Sequence, residues 1–221
     1  MRAEELWRHY PVLYHIAWGG SSPSIQEHGL LSTKALLRLY KKTNEEIVAL
    51  TRVRRAHWVE IDCPGRPSAV LRDQKPMTDA GLRRALDGSA EPWQWYDLIS
   101  SMVFFWPTTA RLRTMLTASA YDGVAHDVLV VDARALVGLE RDNIRVSEIN
   151  SGCTRPMPWP RDMTLFKRFA DYPFEDRRRK YGVAKAVAEV CVVDRVERIA
   201  EAVLDVKRGT AGEVMKALAD G

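Results

Sequence analysis

Lys185-Ala186-Val187-Ala188-Glu189-Val190-Cys191-Val192-Val193-Asp194 sets one carboxylate into an otherwise unbroken apolar run. Read as a strand, the stretch puts Val187, Glu189, Cys191 and Val193 on one face and Ala188, Val190 and Val192 on the other. Both faces are then apolar except at Glu189, the pattern of a strand covered on two sides. A buried carboxylate needs hydrogen-bond partners or a raised pKa, and either condition makes it a functional candidate. The same pattern also fits an edge strand or helix face that leaves Glu189 in water.

The 221 residues suit one large domain. A formal net charge of +4 permits contact with phosphate-bearing ligands without requiring it. Basic residues cluster at Arg52, Arg54 and Arg55 and again at Arg177, Arg178, Arg179 and Lys180, and each run taken alone reads as solvated surface. Cys63, Cys153 and Cys191 are too far apart and too few for a disulfide framework or a metal-ligand spacing. A reducing cytoplasm and no metal are therefore expected. The N-terminus is charged and no stretch is long and apolar enough to cross a bilayer, so no membrane association is expected. Zinc spacings, phosphate-binding glycine loops, dinucleotide fingerprints and nucleophile elbows are absent, so an enzyme here must assemble its site from scattered positions.

Residues 12–18 read as a strand of β-branched and aromatic residues, with His15 on the face shared by Leu13 and Ala17. A lone strand histidine is more often a core or rim residue than a catalytic one. A short helix follows, with Ser22 as N-cap, Pro23 at its first position and Gly29 past its end. Residues 34–53 are helical by spacing, with a break and a fresh cap at Thr43-Asn44. Residues 58–61 suggest a short strand. Residues 70–95 are weakly patterned apart from a helix at 79–86, either a substrate-facing excursion or a surface insertion. Met102-Val103-Phe104-Phe105-Trp106 is the most apolar and aromatic strand, and Thr108 caps a helix over 109–118 that carries Arg111 and Arg113. Strands follow at 128–131 and 144–149, then a Pro-rich loop at 151–160, a short helix at 165–169, and a closing segment and helix over 196–218. Short strands without regular β-α alternation predict an α+β domain.

Three of these segments together resemble the DarT-type ADP-ribosyltransferases. Leu13-Tyr14-His15-Ile16, then Pro23-Ser24-Ile25 and Gly29-Leu30-Leu31-Ser32, is similar to that family's N-terminal signature. Val103-Phe104-Phe105-Trp106-Pro107 with Arg111 resembles its central strand and following arginine, although Arg113 fits equally and the family's Pro-Arg-Ser-Pro sequence is absent. Ala188-Glu189-Val190-Cys191-Val192 resembles its glutamate strand. The resemblance implies one ADP-ribosyltransferase-like domain over 1–221, a split antiparallel sheet around an NAD cleft with peripheral helices, and an unmatched, insertion-like region at 34–99. It implies an enzyme that cleaves NAD at the nicotinamide-ribose bond and transfers ADP-ribose, with a nucleic-acid base as acceptor. Glu189 and Arg111 would be catalytic, and His15, Ser32, Phe105 and Trp106 would contact NAD. Single-stranded DNA or RNA, and an antitoxin or immunity protein, would be the partners. The competing expectation is a non-catalytic nucleic-acid-binding or regulatory module that keeps the fold, its bases stacked on Trp58, Trp93, Trp95 and Tyr96.

Overall fold

Glu189–Val193 is the middle strand of a three-stranded antiparallel sheet, the position its two apolar faces require. The computed structural model describes residues 1–118, 121 and 123–220. In chain order its helices are α1 (Ala3–His9), α2 (Ser22–His28), α3 (Thr33–Leu39), α4 (Asn44–Thr51), α5 (Asp79–Leu86), α6 (Pro92–Ile99), α7 (Thr109–Leu116), α8 (Ala133–Glu140), α9 (Phe174–Tyr181), α10 (Val183–Ala186) and α11 (Ala211–Ala219). Its strands are β1 (Val12–Trp18), β2 (Leu30–Leu31), β3 (Val59–Ile61), β4 (Ala69–Leu71), β5 (Met102–Phe105), β6 (His126–Asp132), β7 (Ile144–Ser147), β8 (Glu189–Val193), β9 (Arg195–Val196) and β10 (Val203–Gly209). The fold is α+β, with every strand pairing antiparallel.

Two three-stranded sheets carry the structure, one ordered β1-β6-β10 and the other β5-β8-β7. They meet where Tyr14 and Trp106 exchange backbone hydrogen bonds, Tyr14 N to Trp106 O at 2.9 Å and Trp106 N to Tyr14 O at 2.8 Å. One shared core fills the angle between them: Leu13, Leu129 and Val131 from the first sheet pack with Val103, Phe105, Val190 and Val192 from the second. Strand alternation settles which aromatic faces which way. Phe105 pairs with Val190 and points into this core, while Phe104 pairs with Cys191 and shares the opposite face with Glu189.

Local punctuation explains most boundaries. Thr43 accepts the Glu46 N–H while Glu46 returns a bond to the Thr43 N–H, so α4 starts where the sequence indicates. Thr108 caps α7 by accepting from Arg111 N. At α2 the cap is Ser21, one residue earlier than the sequence predicts, with Ser22 and Pro23 already helical. The helix predicted at 165–169 is instead extended: Lys167 pairs with Val146 along the outer edge of β7, and a 3-10 turn follows at Phe169–Asp171. Sheet-edge pairing satisfies two backbone groups there that a one-turn helix would leave open.

Helix α6 lies where no helix was expected. Its start is marked by Pro92 at the first position and a reciprocal Glu91–Gln94 box, and it buries Trp95, Tyr96 and Ile99 against Met77, Leu82 and Leu86. A second cluster joins Leu37 of α3 and its C-cap Tyr40 to Ile61, Cys63 and Leu71 of the β3–β4 hairpin. The 34–99 region thus supplies one apolar cluster entirely and most of a second, which Leu165 completes, and it forms a wall facing the sheets. Among the described residues no helix is long and apolar enough to cross a membrane.

Candidate functional site

A cleft of about 1050 Å³ opens between that wall and the junction of the two sheets. His15 and Trp18 of β1, Phe104 and Trp106 at the end of β5, Glu189 of β8 and the 150–153 loop line one side. Leu36 and Leu39 of α3, Tyr40 at its C-cap, the hairpin strand β4 and Arg72 line the other.

Glu189 is 3% exposed. Both carboxyl oxygens accept from one backbone donor, Ser151 N, at 3.2 Å (Oε1) and 3.1 Å (Oε2). Burial raises its pKa to about 7, opposed by the Ser151 contacts and then by the charges of Arg111 and Arg161. The acid is therefore poised near neutrality, where a carboxyl can both hold and release a proton.

The loop that supplies the Ser151 donor is fastened from behind. Arg161 donates to three carbonyls, Nη1 to Ser151 O and Nη2 to Cys153 O, both at 2.8 Å, and Nε to Trp159 O at 3.1 Å. Its guanidinium lies 5.3 Å from the Trp95 ring centroid, and Trp95 Nε1 donates to the same Ser151 carbonyl at 3.3 Å. Arg161 is buried, so Arg161→Met strips partners from three carbonyls at once. It is expected to lower unfolding free energy by about 3 kcal/mol. Urea titration checks the loss, and faster hydrogen exchange at the Ser151 amide should accompany it.

His15 Nδ1 lies 2.8 Å from Phe104 O. A carbonyl only accepts, so Nδ1 carries the proton and Nε2 is left as an acceptor. Burial lowers the His15 pKa to about 4, and the Arg72 charge pushes it further in that direction. The imidazole is neutral at physiological pH. Phe105 supports it from the core side, ring centroids 5.7 Å apart.

His15, Trp106 and Glu189 thus line the cleft together, and three other expected contacts are placed elsewhere. Phe105 is fully buried in the core and Phe104 takes the cleft-facing position, because register with β8 gives Phe104 the face of Glu189. Ser32 is 1% exposed and its Oγ accepts from Ala35 N at 3.1 Å, so it caps α3 instead of facing the cleft. Arg111 is outside the lining. Burial lowers its pKa, its Nε is buried without a hydrogen-bond partner among the described residues, and the Glu189 charge is the largest influence opposing the shift. Its charge favours the ionised form of Glu189.

Arg55 also departs from its sequence reading as solvated surface. It is buried, donating Nε to Arg72 O at 3.0 Å and Nη1 to Leu50 O at 2.7 Å, and so ties the end of α4 to the chain just past β4. Among the described residues no three His, Cys, Asp or Glu side chains gather to hold a metal ion.

The fold and cleft together define an α+β protein with a buried, partly neutralised acid and a neutral histidine facing one large cavity. A family model described as a family of unknown function (DUF7002) matches residues 11–203, and the chain belongs to that family. The match runs from the start of β1 to the start of β10 and takes in the 34–99 wall as well as His15 and Glu189. No curated protein matches the chain.

Proposed function

We propose that the protein is an ADP-ribosyltransferase that uses NAD as substrate and a nucleic-acid base as acceptor. The observation that carries this reading is the convergence of His15, Trp106 and Glu189, distant in sequence, on one cleft. The paired antiparallel sheets are compatible with the split-sheet architecture such an enzyme would have.

In this reading the nicotinamide ring lies against Trp106 and Phe104, and His15 Nε2 accepts a ribose hydroxyl. Glu189 in its ionised form accepts the 2′-hydroxyl of the nicotinamide ribose. The C1′–N bond breaks with its electron pair leaving on nicotinamide, and the positive charge that develops at C1′ is opposed by the nearby carboxylate in a water-poor site. The acceptor atom then bonds to C1′ and its proton passes to Glu189. Arg111 and Arg161 assist by favouring the ionised glutamate. Turnover is expected to rise with pH through about 7, the region where Glu189 ionises.

The test is incubation with NAD labelled in its adenylate half and pools of single-stranded DNA, RNA and protein, following free nicotinamide and transferred label. Release of nicotinamide with label on a nucleic acid supports the reading. Absence of both NAD binding and nicotinamide release overturns it.

A further inference from the structure

Away from Glu189 the cleft holds a cation with no contact ion pair among the described residues, although Asp73 lines the same cleft and its charge acts on Arg72. Arg72 lines it, and among the described residues its guanidinium makes no hydrogen bond or ion pair, lying only over the Tyr121 ring at 4.9 Å from the centroid. Its backbone is nevertheless held firmly, since its carbonyl accepts from Arg55 Nε at 3.0 Å. The adjoining carboxylate is engaged elsewhere: Asp73 Oδ1 accepts from Tyr121 OH at 3.2 Å and from Lys75 N at 3.0 Å. Burial lowers the Arg72 pKa, and its charge in turn depresses His15 and His126. A fixed, partly desolvated guanidinium of this kind is suited to an anion, and its planar fork fits phosphate oxygens.

An aromatic pair lines the same cleft. Trp18 and Trp58 both line the cleft, their rings 5.1 Å apart and inclined at 61°, with Trp58 48% exposed. Lys75 Nζ lies 5.5 Å from the Trp58 ring centroid. Exposed aromatic faces next to cations are the arrangement that takes a base and its phosphate together. Trp18 is three residues beyond His15 on β1, about 10 Å away at the rise of an extended strand. The pair is therefore a separate part of the cleft from the Glu189–His15 end. The cavity, about 1050 Å³, is at the upper limit of small-molecule sites, roughly 300–1,000 Å³, and has room for a ligand with two recognised ends.

We propose that this end of the cleft is a nucleoside-phosphate subsite, with the phosphate on Arg72 and the base on Trp58 and Trp18. Two sources share that chemistry, the adenosine-phosphate half of a dinucleotide and a nucleotide of an acceptor strand. The choice between them rests on the transferase reading, whereas the subsite itself does not require turnover.

Calorimetric titration of the full chain with adenosine, AMP, ADP-ribose and a five-residue oligo(dT) tests it. AMP is expected to bind about tenfold more tightly than adenosine, the value of one charge-assisted phosphate contact. Arg72→Met should remove that difference, Arg72→Lys should retain part of it, and Trp58→Ala should weaken AMP and adenosine alike. Tighter binding of ADP-ribose than of the oligonucleotide identifies the dinucleotide as the source, and the reverse order identifies the acceptor strand. Either order supports the subsite provided that Arg72→Met weakens it. If Arg72→Met does not fold, Arg72→Lys and Trp58→Ala carry the same comparison, the latter at a half-exposed position. A wild type that does not distinguish AMP from adenosine, or an Arg72→Met chain that binds AMP as the wild type does, overturns the proposal. A chain that binds AMP through Arg72 but neither binds NAD nor releases nicotinamide from it keeps the subsite and ends the transferase reading.

Discussion

Glu189→Gln is expected to reduce nicotinamide release from NAD by about a thousandfold, the scale of losing one preorganised charge-stabilising group, while stabilising the protein at alkaline pH. The amide keeps the shape of the carboxyl and can still accept from Ser151 N, so the loop geometry should survive. What is lost is the negative charge facing C1′. The stability effect follows from the raised pKa. Between about 4.5 and about 7 the folded chain holds a proton at Glu189 that the unfolded chain has released, so stability falls as pH rises across that window. Above it the wild type carries the full penalty, about 3 kcal/mol for a shift of this size. Glutamine never ionises and avoids it. Thermal melts should therefore show wild type and variant close together at pH 4.5, and the variant several degrees higher at pH 8. A variant that turns over at the wild-type rate would remove Glu189 from the chemistry. Equal melting temperatures at both pH values would mean that the carboxyl is not desolvated as its burial implies.

The features legible in the sequence are those fixed by short-range pattern. The two apolar faces around Glu189 identify β8 as an interior strand, and Thr43 and Thr108 mark helix starts because a hydroxyl beside a free N–H is a local event. The placement of Phe104, and not the expected Phe105, on the cleft face is not of this kind. It depends on register against β8, set by a strand far away in the chain, and only that pairing turns Phe104 toward Glu189. Arg55, Arg72 and Arg161 were hidden for a related reason. A guanidinium clamped to backbone carbonyls and one waiting for a ligand look the same as a solvated arginine until the carbonyls, or their absence, can be seen. Helix α6 carries local start signals, Pro92 and the Glu91–Gln94 spacing, but they lie at the end of a weakly patterned stretch and its aromatic face has no partner visible in the sequence. The 34–99 segment looked like an insertion because it lacked a counterpart in the resembled family, a statement about similarity and not about packing. Its residues pack into two apolar clusters and line the cleft, and the family match runs through it.

Acidification should destabilise the fold through its histidines before its ordinary carboxylates. His126 is fully buried in β6 with both ring nitrogens unpartnered among the described residues, and burial, reinforced by Arg72, lowers its pKa to about 4. His15 is held to a similar value. Both pKa values are depressed from 6.5, so each histidine's contribution is present above pH 6.5 and is lost as pH falls toward 4, because only the unfolded chain takes up the proton. Each shift corresponds to about 3 kcal/mol as an upper value, less for His15, which borders the cleft. Glu189 works in the opposite sense over nearly the same range. Between about pH 4.5 and 6.5 the unfolded chain gains two protons at the histidines and lacks the one the folded chain keeps at Glu189, a net difference of about one. Stability should then fall by about 1.4 kcal/mol per pH unit on acidification through that interval, a large share of the 5–15 kcal/mol typical of a folded domain. Asp127 does not contribute there. Its pKa is lowered to about 2, with Arg208 and the Gly20 and Ser22 backbone outweighing burial, so its contribution is lost only below about 3.8. His126→Leu removes one titrating group without breaking any hydrogen bond found among the described residues, and the slope over the same interval should become nearly flat. Urea midpoints measured from pH 4.5 to 7 decide the matter: an unchanged slope in His126→Leu would show that His126 is not the neutral, buried group its surroundings require.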